Sequence, residues 1–179
     1  MDKIRHIAAK AEKLLGMFPV VAIIGSRQCG KSTLVKQLRP DWKYYDLESP
    51  DDYQLISSDP LAFFLMNSGN VIIDEAQQFP EIYQVLRGVI DADRKAKGRF
   101  LLTGSSSPDI VKGITESLAG RIATIEMSPF KQSELFDKPL SECYSLITEG
   151  VQHLNEFIAL ETPLNLEKSM LLWFRGGVS

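Results

Sequence analysis

Short apolar runs alternate with segments of helical spacing along most of the chain. Apolar positions over residues 4–15 follow the helical period and end near Gly16, which predicts an amphipathic helix. Later apolar runs are short and predict strands at residues 20–24, 70–75, 99–104 and 121–127, and the segment WKYYDLE predicts a further strand at residues 42–48. Helical spacing predicts helices between these strands at residues 33–38, 59–67, 82–90 and 107–118. Strands that alternate with helices predict an α/β fold with a central parallel sheet and helices on both faces.

Polar residues follow the carboxyl ends of these predicted strands. Asp46 and Glu48 close the second strand, and small polar residues follow the fourth. Ligands of open parallel sheets bind outside the carboxyl ends of the strands. The pattern therefore predicts one site at that edge of the sheet.

The loop after the first strand, GSRQCGKST, carries the most specific chemistry. Two glycines allow the backbone to curl so that successive N–H groups point at an anion, and the lysine would reach the terminal phosphates of a nucleotide. The serine hydroxyl would ligate Mg²⁺. The spacing matches G-x-x-x-x-G-K-[ST] in full, so the predicted phosphate-binding residues are Gly25, Ser26, Arg27, Gln28, Cys29, Gly30, Lys31, Ser32 and Thr33. For the Cys29 thiol, two interpretations stay open: an oxidisable thiolate at a helix start, or a small filler.

A pair of acids ends the third predicted strand, VIIDE. Asp74 is placed to hold the Mg²⁺ shell, and Glu75 is placed to orient an attacking water. Thr103, or Ser105 just after it, ends the neighbouring strand and could hydrogen-bond the γ-phosphate or that water. A surface turn is the alternative for these hydroxyl groups. The paired acids favour hydrolysis over binding alone.

Composition narrows the classes of partner. The net charge is -3 at pH 7, which disfavours nucleic acid, although a local cluster of Lys36, Arg39 and Lys43 leaves it open. Two cysteines, Cys29 and Cys143, do not form a disulfide framework or a metal-binding pattern, and a reducing cytoplasm suits them. No apolar run approaches the length of a membrane span. We therefore expect a cytoplasmic protein without a membrane partner.

Four stretches together carry a family resemblance. In chain order, GSRQCGKST, VIIDEAQQ, LLTGSSS and LAGRIATIEMSPFKQSEL resemble the P-loop domain of the AAA+ superfamily ATPases of prokaryotes, many of which are known only as ATP-binding proteins. The resemblance identifies the first two stretches with the Walker A and Walker B motifs and the third with the sensor strand. It implies a three-layer α/β/α P-loop NTPase fold with strand order 5-1-4-3-2, and ATP and Mg²⁺ as cofactors.

The same resemblance suggests how the chain is organised. Residues 1–136 are predicted to form the P-loop ATPase core with its N-terminal helix, and residues 137–179 a helical C-terminal extension. An apolar stripe at helical spacing in that extension is made of Leu166, Met170, Trp173 and Phe174. Family members typically continue past a segment like WFRGG into a sizeable further domain. The extension is therefore expected to be the start of a second domain that is missing or truncated here.

Three functions are compatible with these motifs. The favoured one is a Mg²⁺-dependent ATPase that converts ATP to ADP and phosphate and drives a conformational change or a protein partner. The alternatives are a nucleotide-binding switch or scaffold with little turnover, and a small-molecule kinase, for which we find no acceptor-binding element. A GTPase is disfavoured because no Asn-Lys-x-Asp element occurs. Assembly into a homo-oligomer is also compatible with the sequence.

Arg121 begins the last predicted strand, on the side where neighbouring subunits often meet in related ATPases. It is the candidate arginine finger, because a guanidinium can pair with γ-phosphate oxygens as charge spreads in the transition state. The alternative is a surface arginine that pairs with a nearby acid such as Glu116. Lys31, Glu75, Thr103 and Arg121 are thus the predicted catalytic residues, and Ser32 and Asp74 the predicted metal ligands.

Overall fold

The structure, a computed structural model, describes residues 5–130 and Glu134, with the backbone alone at positions 108–110 and 115. The chain divides into two compact units, one made of residues 7–128 and the other of residues 1–6 and 129–179. The predicted boundary after residue 136 and the helical stripe of the extension lie outside the described residues. Both stay predictions.

Strands and helices alternate through the first unit. The strands are β1 (Val20–Gly25), β2 (Lys43–Asp46), β3 (Val71–Asp74), β4 (Phe100–Gly104) and β5 (Ile122–Met127). The helices are α1 (Ile7–Leu15), α2 (Lys31–Leu38), α3 (Pro50–Ser58), α4 (Pro60–Met66), α5 (Ile82–Ala92) and α6 (Pro108–Ser117), with one 3-10 turn at Ala76–Gln78. Within the described part of the chain, no helix has the length and apolar character needed to cross a membrane.

All five strands form one parallel sheet in the order β2-β3-β4-β1-β5. Read from the other edge, this is the order 5-1-4-3-2 that the family resemblance implies, so that expectation is confirmed. β1 and β3 both lie inside the sheet, with β4 between them. The order places the loop after β1 and the acids after β3 at the same edge of the sheet.

Alternate residues of the strands build two separate cores. Val21, Ile23 and Leu101 pack on one face against α1 and α2. Ala22 and Leu102 belong to the other face, which is covered by α3, α4, α5 and α6. Strands buried on both faces explain the continuous apolar runs in the sequence. The three-layer α/β/α prediction is confirmed.

One helix was not predicted. In α3 only Ile56 is buried, so the segment lacks the apolar stripe by which a helix is recognised. Its start instead carries local signals, with Pro50 in the first turn and Asp51 and Asp52 beside the positive end of the helix dipole. The following helix begins as predicted, because the Asp59 carboxylate accepts a capping hydrogen bond from the Ala62 N–H at 2.9 Å.

The second unit is described at only a few positions. The Glu134 carboxylate accepts hydrogen bonds from Arg5 Nε at 3.2 Å and from the His6 backbone N–H at 2.8 Å. The Arg5 guanidinium also lies 4.2 Å from the ring centroid of Phe130. These contacts join the amino-terminal residues to the segment after residue 128 within that unit.

Candidate active site

The loop after β1 curls tightly because two of its positions require glycine. Gly30 has φ 91°, a left-handed conformation, and directly precedes α2. At Gly25, a Cβ atom would clash with the Met127 carbonyl oxygen and lie 3.0 Å from Cys29 Sγ. Between the glycines, Ser26 and Gln28 are exposed at the surface of the loop. The result is a backbone curl that ends at the positive end of a helix, as an anion site requires.

Lys31 is buried although it is charged, with 4% of its surface exposed. Its Nζ donates to the carbonyl oxygens of Ser26 at 3.0 Å and Gly25 at 3.3 Å. The same Nζ lies 3.7 Å from Glu75 Oε1. A buried ammonium is tolerable only with such partners, and here the predicted phosphate-binding lysine and the predicted water-orienting acid meet.

Asp74, at the end of β3, is the most buried acid of the site, with 2% of its surface exposed. One carboxylate oxygen accepts a hydrogen bond from the Thr103 hydroxyl and the other accepts one from the Tyr44 hydroxyl. Burial, together with this hydrogen bond and the charge of Asp74, raises the pKa of the Tyr44 phenol above its usual range. Two hydroxyl donors therefore fix the orientation of the carboxylate.

Glu75 leaves the strand with φ 52°, a left-handed conformation that is uncommon outside glycine. Its backbone N–H donates to Thr103 Oγ1 at 3.0 Å, and its Oε2 accepts a hydrogen bond from Gln77 Nε2. Thr103 thus positions both acids. The Thr103 hydroxyl donates its proton to Asp74. The predicted contact between Thr103 and a phosphate stays a prediction.

Tyr44 and Gln77 were missed by sequence reasoning. Tyr44 lies inside an apolar strand and belongs to the site only because β2 pairs with β3, with Asp46 opposite Asp74. Gln77 lies three residues after Asp74, but nothing in this run of polar residues indicates which side chain turns back to the acids. Its amide oxygen is buried and has no hydrogen-bond partner among the described residues. Of these two residues, only Gln77 lies close to the acids in the sequence, and this proximity was a weak signal.

The remaining loop residues divide between surface and core. Arg27 is exposed and pairs with Glu48 at the end of β2, at 2.8 Å. Cys29 is 4% exposed and packs in the apolar cluster beneath α1 and α2. Its position agrees with the interpretation of a small filler.

Arg121 lies at the amino ends of the strands, opposite the edge of the sheet that carries the loop and the acids. It precedes β5, next to the amino end of β1, so the length of a strand, roughly 16 Å, separates it from the loop. Its guanidinium donates two hydrogen bonds to Asp91, each at 2.9 Å, and a third to the Ala119 carbonyl oxygen at 2.8 Å. Glu116, the partner considered from the sequence, instead pairs with Lys112. The structure does not bring Arg121 to the site of its own chain.

The local basic cluster is occupied by contacts within the chain. Arg39 pairs with Glu12, and Lys43 Nζ donates to the Asn67 side-chain oxygen at 2.7 Å. Lys36 Nζ lies 3.7 Å from the ring centroid of Tyr44. Each of the three cations therefore has a partner in its own chain.

The family model AAA_14, an AAA domain, matches residues 17–136. This range contains all five strands, the loop and both acids. The chain belongs to this family. It contains an AAA+-like P-loop ATPase domain, an ATP-binding NTPase domain, and the resemblance found from the motifs is confirmed.

Two mycobacterial relatives match about two thirds of this chain. They are uncharacterized proteins of Mycobacterium bovis (Mb2031c) and Mycobacterium tuberculosis (Rv2008c), each 40% identical over 127 residues. The match spans 69% of this chain but only 28% of either relative. The similarity is therefore to one domain of longer proteins.

A solved structure shares the fold. It is the signal transduction ATPase with numerous domains PH0952 from Pyrococcus horikoshii, which carries a tetratricopeptide repeat sensor. The TM-score is 0.53 at 15% identity, and the match covers 99% of this chain and 28% of that chain. At this identity the likeness concerns the fold alone.

Proposed function

We propose that this AAA domain binds Mg²⁺-ATP and hydrolyses it to ADP and phosphate, and that turnover drives a conformational change or a protein partner. The observation that carries the proposal is the meeting of Lys31 Nζ and Glu75 Oε1 at 3.7 Å beside the curled loop. A phosphate-binding cation and a carboxylate that can orient water are the two side chains that hydrolysis needs at one place.

The side chains beside the loop suit magnesium. Ser32 and Asp74 offer only oxygen atoms, and both lie beside the phenolic oxygen of Tyr44, so one small ion could reach both. Among the described residues no group of three or more His, Cys, Asp or Glu side chains could hold a metal, which is in keeping with an ion held largely through nucleotide phosphates. When bound, Mg²⁺ would neutralise charge on the phosphate oxygens.

The protein's own groups divide the work. In this proposal the loop N–H groups and Lys31 bind the β- and γ-phosphates, which replace the carbonyl oxygens of Gly25 and Ser26 as partners of the ammonium. Glu75 accepts the proton of the attacking water. Thr103 keeps the backbone of Glu75 and the carboxylate of Asp74 in place. A strained backbone at a catalytic acid is common where the surrounding contacts determine it.

A nucleotide-binding switch with little turnover is the second candidate. It is favoured by the contacts of Glu75, because one carboxylate oxygen accepts a hydrogen bond from Gln77 and the other faces Lys31. An acid with a donor at each oxygen has fewer lone pairs left to take a proton from water. Both candidates predict nucleotide binding, and they differ in turnover.

Turnover is tested with Glu75→Gln, which keeps the size of the side chain and one acceptor oxygen but removes the base. Phosphate release from ATP is measured with magnesium and with EDTA, and nucleotide affinity is measured on the same samples. We expect the variant to bind nucleotide but to lose turnover by about 10²- to 10⁴-fold. Glu81→Gln, an exposed acid nearby, is the matched control and should match the unaltered chain.

Two results would count against hydrolysis by Glu75. Full activity in Glu75→Gln would move the base elsewhere. Nucleotide binding without magnesium-dependent turnover in the unaltered chain would favour the switch.

We propose that Arg121 can act as an arginine finger only in the site of a neighbouring subunit. Its distance from the loop in its own chain supports this restriction, and the guanidinium would have to leave Asp91. A finger acting in this way predicts a turnover per chain that rises with protein concentration. It also predicts a rate at least tenfold lower in Arg121→Ala, with ATP affinity unchanged.

A further inference from the structure

Tyr44 projects from β2 into the space beside the loop. Its hydroxyl donates to Asp74 Oδ2, and the Ser32 side chain lies near the same phenolic oxygen. Ser32 is the second residue of α2, whereas Asp74 ends β3. The phenolic hydroxyl of β2 therefore contacts the end of β3 beside the start of α2.

These two partners are the side chains to which the proposed function assigns Mg²⁺. An ion held by both needs the lone pairs that face the space between them, at distances of about 2.1 Å for direct ligands. The phenolic oxygen hydrogen-bonds the Asp74 carboxylate and lies near Ser32. It therefore competes with the ion for an oxygen of Asp74.

A cation holds the ring of Tyr44 in this position. Lys36, one helical turn after Ser32 on α2, places its Nζ 3.7 Å from the ring centroid. Lys36 is otherwise exposed at the surface of the helix. The ring is thus held from outside by Lys36 and at its hydroxyl by Asp74.

We propose that Tyr44 gates the metal position: binding of Mg²⁺ requires the phenol to release Asp74 and to leave the space beside Ser32, and the tyrosine thereby weakens metal binding. The inference rests on the proposed function. The opposite effect would follow if the phenol only oriented Asp74 for the metal, because its loss would then weaken metal binding.

The test is Tyr44→Phe in the full chain, with Mn²⁺ as the metal probe. Mn²⁺ is titrated into protein with equimolar ADP, and unbound Mn²⁺ is followed by electron paramagnetic resonance against a blank of ADP alone. We expect half-saturation at about tenfold lower Mn²⁺ concentration in Tyr44→Phe, the factor that corresponds to one hydrogen bond to a charged group. Tyr45→Phe is the matched control, since Tyr45 points to the opposite face and packs against Phe63.

A second variant guards against a folding defect in the first. Lys36→Met removes the cation from an exposed position and leaves the Tyr44 hydroxyl in place. It should therefore also tighten Mn²⁺ binding, but by less than Tyr44→Phe does. Equal or weaker Mn²⁺ binding in Tyr44→Phe, with ADP bound normally, would overturn the gate alone. Failure of the unaltered chain to bind ADP would overturn the proposed function, and the gate with it.

Discussion

At the residue scale, Lys31 and Asp74 are both buried charges with different kinds of partner. Lys31 donates to carbonyl oxygens of its own loop, and Asp74 accepts from hydroxyl groups of two neighbouring strands. A charge taken out of water is costly unless hydrogen bonds replace its hydration. These contacts therefore keep the cation and the acid in place beside the loop, where the proposed chemistry needs them.

The ion pair of Arg121 and Asp91 gives a prediction about pH. Burial raises the pKa of Asp91, but the hydrogen bonds and charges of Arg121 and Arg94 outweigh it and hold the pKa below the ordinary value of 3.8. A lowered pKa in the folded state contributes stability that is present above that ordinary value and is lost as the pH falls through the lowered one. We expect Arg121→Ala to lower the melting temperature at pH 7 and to do so much less at pH 3.

Arg94→Ala is the comparison for this prediction. Arg94 contacts the same carboxylate, but 71% of its side chain is exposed, so its loss should cost less at pH 7. An Arg121→Ala effect of the same size at both pH values would mean that the pair does not stabilise the fold through its charges.

Single residues also show the limits of sequence reasoning. The loop residues could be predicted because nine consecutive positions carry the whole motif. Tyr44 could not, because its role depends on the pairing of β2 with β3. The partner of Arg121 was likewise misjudged from proximity in sequence: Asp91, thirty residues earlier, is brought to it by the packing of α5 near the start of β5.

At the element scale, the positions of β1, β3 and β4 followed from their apolar runs, because strands buried on both faces are continuous in the sequence. Helices with a buried stripe were predicted for the same reason. The polar helix α3 was missed, since it buries only Ile56. Hydrophobic pattern thus predicts elements that build the core better than elements that cover it.

The junction of β1 with the loop gives a prediction at this scale. In Gly25→Ala, the new Cβ would clash with the Met127 carbonyl oxygen of β5, and backbone atoms cannot move aside without distorting the sheet. We expect a loss of about 1–3 kcal/mol in the free energy of unfolding, measured by urea denaturation.

The matched control is Gly88→Ala, inside α5. A Cβ there meets no atom within 4 Å, and alanine favours the helix, so stability should rise by about 0.5–1 kcal/mol. Equal stability of Gly25→Ala and the unaltered chain would show that the close approach of β5 does not require glycine.

At the scale of the whole molecule, the order of the strands creates the site. β4 lies between β1 and β3, so Thr103 stands between the loop and the acids and contacts both acids. This order came from the family resemblance and not from hydrophobic spacing, because spacing does not tell which strands are neighbours. The match spans only 28% of the mycobacterial relatives. The process that ATP turnover drives therefore belongs to the proposal.

The central claim is that the loop binds the phosphates of ATP through Lys31. Calorimetric titration of ATP with magnesium into the unaltered chain and into Lys31→Ala tests it most directly, with circular dichroism to show that both are folded. Lys13→Ala, which removes an exposed lysine from α1, is the control for loss of charge alone. We predict binding by the unaltered chain and by Lys13→Ala, and no measurable binding by folded Lys31→Ala. Unchanged ATP affinity in Lys31→Ala would contradict the assignment of this loop.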